Sequence, residues 1–135
     1  MKPRIVWLFV LILYAGGIFT LSSFPLGEGR PLLPIPGGDK VIHALEYALF
    51  YFLAWKTFPT RRRFLFALLL TVAYAGSDEL HQHFVVTRTA SLMDWLADLA
   101  GGLMAALLNS LLARLLLFKN TRLRILTTHH HDGEG

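Results

Sequence analysis

Residues 5–24 read IVWLFVLILYAGGIFTLSSF, twenty positions without a charge. A helix of that length rises about 30 Å, the thickness of a bilayer's hydrocarbon core. Lys2 and Arg4 precede the run, so a cleaved signal peptide is the competing reading. A signal core is shorter, roughly 7–15 residues, and it ends in a small-x-small cleavage site. No clean site of that kind closes this stretch, which is therefore read as a retained span.

Three more apolar runs follow. Residues 41–58 are interrupted only by His43, Glu46 and Lys56, and residues 92–118 carry Asp94 and Asp98 in their first two turns and Arg114 near their end. The run from residue 64 stays apolar only to Gly76, before Asp78, Glu79, His81, Gln82 and His83. By hydropathy alone it is too short. A helix over residues 64–83 crosses only if its polar last turns lie in a protein-lined pocket or at the interface. The expected fold is all-α, an integral membrane bundle of about four transmembrane helices. Residues 1–120 form one domain in this reading, and residues 121–135 form a polar, mobile cytoplasmic tail.

Composition agrees. Of 135 residues, 54% are hydrophobic and 16% charged, against about 45–50% and about 25% in soluble domains. There is no cysteine, which excludes disulfide scaffolds, thiolate metal sites and cysteine nucleophiles. The formal charge of +4 and the pI near 9.8 would suggest nucleic acid in a soluble protein. The distribution says otherwise. In an antiparallel bundle, Lys2, Arg4, Lys56, Arg61, Arg62, Arg63, Arg114, Lys119, Arg122 and Arg124 fall on one side, with only Asp132 and Glu134 as acids. The positive-inside rule makes that side cytoplasmic, with both termini inside. The other side holds three basic residues against seven acids. The basic pI thus records topology, and no nucleic-acid partner is expected.

On the outer side the polar residues converge. Residues three, four or seven apart share a helix face, which aligns Lys40, His43 and Tyr47. The same spacing aligns Tyr74, Asp78 and Gln82, then Glu79 and His83, and finally Asp94, Asp98 and Gly101. Ionisable groups inside a span cost at least about 2.5–3.5 kcal/mol each on the insertion scale, so such a layer needs pairing or water. Bland readings stand beside the functional one. Asp39 fits a helix N-cap, Ser91 with Asp94 fits a capping box, Lys40 can snorkel to head groups, and Glu79 with Arg88 can form a purely structural ion pair. His81 and His83, two apart, lie on different helix faces. Neither H-x-x-x-H nor H-E-x-x-H occurs, so no metal and no cofactor is expected.

The stretch Asp39-Lys40-Val41-Ile42-His43-Ala44-Leu45-Glu46-Tyr47 resembles the DK-x-x-H-x-x-x-Y signature of the VanZ-like membrane family. Residues 74–101, YAGSDELHQHFVVTRTASLMDWLADLAG, are similar to its E-x-x-Q-x-F, Arg and D-x-x-x-N-x-x-G pattern, with Glu79, Gln82, Phe84, Arg88, Asp94 and Gly101 in register. Ser22 or Ser23 with Pro25 fits the serine and proline that end the family's first span. Asp98 stands where the family usually has Asn, and Val86-Thr87 where it often has Pro-Gly. The resemblance implies a multi-pass protein of the bacterial inner (plasma) membrane, associated through the family's naming member with low-level resistance to teicoplanin. That antibiotic acts on cell-wall precursors at the outer membrane surface.

Two functions share this layer. In the first, an enzyme acts on lipid-linked envelope precursors: His43, Glu79 and Asp94 do acid–base work, and Lys40, Tyr47, Gln82, Arg88 and Asp98 bind the substrate, Arg88 gripping phosphate. In the second, the same pocket is non-catalytic and binds a membrane lipid head group or a glycopeptide. A small transporter, which would need a homo-oligomer to enclose a pore, is the third reading.

Overall fold

The structure, a computed structural model, describes residues 3–24, 34–58, 60, 62–86 and 90–131. Four helices account for nearly all of them: α1 Pro3–Ser22, α2 Gly38–Thr57, α3 Arg63–Phe84 and α4 Leu92–His131. No strand occurs among the described residues. Arg88 and Pro25 lie outside them, as does the end of the expected tail, residues 132–135. Helix α4 continues to His131, past the apolar run that ends at Phe118.

Local chemistry sets the helix ends. Pro3 opens α1, where its missing N–H costs nothing. Gly37 precedes α2 with φ 73° and ψ 13°, a left-handed backbone that a side chain disfavours. The chain therefore turns into α2 on glycine. Asp39 falls inside the first turn, two residues after the N-cap Gly37, so it is not the N-cap that the sequence suggested. Phe58, whose ψ of 123° ends α2, precedes Pro59, and a residue before proline is pushed out of the helical region. Helix α3 carries its polar turns as regular helix to Phe84 and ends at extended Val85.

Side-chain contacts fix the directions. Trp7 near the start of α1 meets Phe52 near the end of α2, Tyr51 meets Phe64, and His43 meets Asp98. The helices therefore alternate, with α2 and α4 parallel. Helix α2 is central, packing most extensively on α4 and also on α1 and α3, whereas α1 and α4 do not touch among the described residues. Its buried face is aromatic. Tyr47, Phe50 and Tyr51 are enclosed, and Phe50 stacks on Tyr74 with ring centroids 4.7 Å apart. Opposite them α3 and α4 present small residues, Ala67, Ala75, Gly101, Gly102 and Ala106, all buried. Gly101 is required for this approach: a Cβ there would overlap the Ala44 backbone. Two tyrosines tie α1 to its neighbours, Tyr14 donating to the Glu46 carbonyl at 3.1 Å and the Tyr74 hydroxyl donating to the Ala15 carbonyl at 2.6 Å.

Outside this core the surface is apolar. Ile5, Phe9, Ile12 and Leu13 of α1 and Leu107, Leu111, Leu115 and Phe118 of α4 are all more than half exposed, far more apolar surface than water tolerates on a monomer. Arg4–Ser22 and Leu92–Lys119 are long and apolar enough to cross a membrane. At the end where α2 finishes, Lys56 lies 5.3–5.6 Å from the Trp7, Phe52 and Trp55 rings, and Arg63 lies 4.0 Å over Trp55. Basic groups on aromatic faces mark this end. Asp39, Asp78, Glu79, Asp94 and Asp98 lie toward the other.

Candidate functional site

The acidic end is where α1 and α3 finish and α2 and α4 begin. Helical periodicity divides its residues into three groups, because neighbours in sequence point about 100° apart.

The rim group is Asp39, Lys40 and Asp94. Lys40 Nζ donates to Asp39 Oδ2 at 2.7 Å and to Asp94 Oδ1 at 3.0 Å. The Lys40 ammonium is thereby held between two carboxylates. Lys40 and Asp39 remain exposed, so the pair contributes little to stability. Its effect is to place a cation at the mouth of the site.

The central group comes from three helices. His43 Nδ1 lies 2.9 Å from Asp98 Oδ1, and Asp98 is wholly buried. One ligating atom each from His43, Glu79 and Asp98 falls within 4.8 Å of the other two. Glu79 Oε2 accepts the Ser91 backbone N–H at 2.9 Å. That bond replaces half of the capping box expected between Ser91 and Asp94. The other half is a long bond, from the Asp94 N–H to Ser91 Oγ at 3.4 Å. Glu79 Oε1, Asp98 Oδ2, the Tyr47 hydroxyl and Trp95 Nε1 are enclosed, with no hydrogen-bond partner among the described residues.

The third group seals α1 to α3. Ser22 Oγ donates to Asp78 Oδ2 at 2.9 Å, and Gln82 Nε2 donates to the same oxygen at 3.1 Å. Ser23 Oγ meets His81 Nε2 at 2.9 Å, and the His81 ring stacks on Phe19 at 4.2 Å. Asp78, Ser22 and Gln82 are all buried.

Of the residues expected to form the site, His43, Glu79 and Asp98 therefore meet, and Tyr47 lies buried one turn below His43. Lys40 and Asp94 pair at the rim. Gln82 turns away to α1, and Arg88 lies outside the described residues. Periodicity set Asp78 and Gln82 apart from Glu79. It carried no signal that Ser22 and Ser23 would receive them.

Beside Glu79 a groove of about 390 Å³ runs between α3 and α4, lined by Gly76, Glu79, Leu80, His83, Ala90, Ser91, Leu92 and Trp95. Most of that lining is apolar. Its polar side chains are Glu79, His83 and Ser91, and Glu79 is also the member of the His43–Glu79–Asp98 cluster that reaches the groove. Such a site suits a molecule that is apolar along its length and polar at its head.

No curated protein and no solved structure matches the chain. The family model VanZ/LLP1 matches residues 6–114, a stretch that takes in all three groups and the groove. The chain belongs to the VanZ/LLP1 family.

Proposed function

We propose that the chain is a four-span protein of the bacterial inner membrane that binds the phosphate-bearing head group of a lipid-linked envelope precursor at its acidic, extracytoplasmic end. The observation that carries this reading is that Glu79 both lines the mostly apolar α3–α4 groove and lies beside His43 and Asp98. Helices α2 and α3, of 20 and 22 residues, have the length of a span. Apart from Glu46 near the middle of α2, their charges sit toward the ends, where bundle partners or the interface satisfy them. The basic–aromatic end around Lys56 and Arg63 supports a cytoplasmic placement for that side and for both termini.

Within the site, Lys40 at the rim and Arg88 in the following connection supply positive charge to a phosphate, Arg88 as a bidentate donor. The His43–Asp98 hydrogen bond orients the imidazole. A carboxylate that accepts one ring N–H leaves the other nitrogen basic, the arrangement a general base requires. Action on cell-wall precursors would connect the chain to glycopeptide resistance of the teicoplanin type.

Mass spectrometry of lipids retained by the purified protein tests the reading. The wild type should carry a phosphate-bearing polyprenyl-type lipid, and Arg88→Ala and Lys40→Met should carry less than a tenth as much. An identical lipid complement in all three proteins refutes head-group binding at this end.

A further inference from the structure

We propose that His43, Glu79 and Asp98 hold a borderline divalent cation, Zn²⁺ or Mn²⁺, whose remaining coordination positions take up phosphate oxygens. The second half of this statement rests on the function proposed above; the first does not. The donors come from three helices, and one ligating atom of each lies within 4.8 Å of the other two. A cation bound at about 2.0–2.2 Å spaces its donors roughly 3–4 Å apart. Small side-chain rotations close the set on an ion.

A second, independent observation points to a ligand. Asp98 has no exposed surface, and its Oδ2 has no partner among the described residues; Glu79 Oε1 is enclosed and equally without one. A buried carboxylate oxygen that lacks a donor is costly, and two of them beside one imidazole are satisfied together by a single cation. The His43–Asp98 contact fits the same arrangement when the imidazole is neutral with its proton on Nε2: Nδ1 and Asp98 Oδ1, 2.9 Å apart, then have the spacing of two donors on one ion.

Charge gives the site a reason to hold a cation. This side of the chain carries seven acids and three basic residues, an excess that repels a phosphate. A divalent ion reverses the sign locally and bridges carboxylate to phosphate. One imidazole and two carboxylates, with no thiolate in the chain, suit Zn²⁺ or Mn²⁺ better than copper(I) or an iron–sulfur cluster. The sequence placed all three in one layer but carried no local metal motif, because no two of them share a helix.

The test uses the full chain, without a polyhistidine tag and with His129, His130 and His131 replaced by alanine. The protein is stripped with EDTA, checked for retained helix content, and titrated with Zn²⁺, Mn²⁺ and Mg²⁺ by equilibrium dialysis with elemental analysis. One equivalent of Zn²⁺ or Mn²⁺ should bind, with Mg²⁺ at least tenfold weaker. Asp98→Asn and Glu79→Gln should each weaken binding at least tenfold, and Asp78→Asn, outside the set, should not change it. Folded protein that takes up neither Zn²⁺ nor Mn²⁺ overturns the proposal, as does unaltered binding in both variants. X-ray absorption of the zinc-loaded wild type decides the matter even where a variant fails to fold. One imidazole among oxygen donors is expected, and two or more imidazoles refute the assignment. Cation binding without any retained phosphate-bearing lipid refutes the proposed function alone. Lipid retention that survives EDTA refutes the bridge alone.

Discussion

Replacing Gly101 with alanine should separate α2 from α4 and dismantle the site without touching a functional group. On an open helix the substitution is favourable, because alanine exceeds glycine in helix propensity by about 0.8–1 kcal/mol. Here the new methyl would overlap the backbone carbonyl of Ala44, and backbone cannot rotate aside as a side chain does. Even a close C–H···O approach needs about 3.3–3.6 Å. The helices must therefore part by roughly 1.5 Å to reach that spacing. His43 directly precedes Ala44, and Asp98 lies one turn before Gly101, so their 2.9 Å bond stretches beyond hydrogen-bonding range. Overpacking costs about 1–3 kcal/mol or more, and losing a hydrogen bond to a charged group about 1.5–3 kcal/mol. Both exceed the propensity gain. The assay is thermal unfolding in detergent, followed by circular dichroism, with Gly17→Ala as the control because nothing lies within 4 Å of that position. Gly101→Ala should melt well below wild type, and Gly17→Ala at or slightly above it. A Gly101→Ala protein as stable as the wild type would mean that α2 and α4 are not in backbone contact.

Two other outcomes bear on the bundle. Single cysteines at Gly29 and Thr60 should react with impermeant maleimide from opposite sides of the membrane, which the cysteine-free chain makes simple to read; labelling from one side refutes the four-span topology. Ser22→Ala removes the 2.9 Å donor to buried Asp78 and should cost about 1–3 kcal/mol in the same melting assay. Lipid retention should be unaltered, and an equal loss of lipid would place the α1–α3 seam inside the binding site.

The helices were legible because apolar run length and helical period act locally. So was the alignment of Lys40, His43 and Tyr47, which a single helix determines. Partnership between helices was not. Asp94 and Asp98 are equivalent by sequence, four residues apart on one face. Only the vertical register of α4 against α2, set by the Gly101–Ala44 approach, gives Asp98 to His43 and Asp94 to Lys40. The gathering of His43, Glu79 and Asp98 in one layer was legible, but not that these three alone would come within ligating distance, since local metal motifs presuppose two ligands on one helix. The Ser91–Asp94 capping box was half right. Its missing half went to Glu79, a residue from another helix that no local pattern connects to Ser91.

Among the described residues α1 touches α2 and α3 but not α4, and on the four-span reading proposed above the order of synthesis gives that arrangement a meaning. Made before α2, α3 and α4, helix α1 would have to be stable in lipid without these partners. Its unbroken apolar sequence meets that demand. Helices α2 and α3 bring His43, Asp78 and Glu79 with them, and Asp78 finds Ser22 already waiting on α1. Lys40 has Asp39 beside it, but His43 must wait for Asp98 on α4 and Glu79 for Ser91, the residue that precedes α4. In the proposed bundle the docking of α4 therefore completes the site, and a chain stalled before residue 91 would leave His43 and Glu79 without their partners at the membrane surface, the kind of defect by which quality-control proteases recognise an unfinished protein.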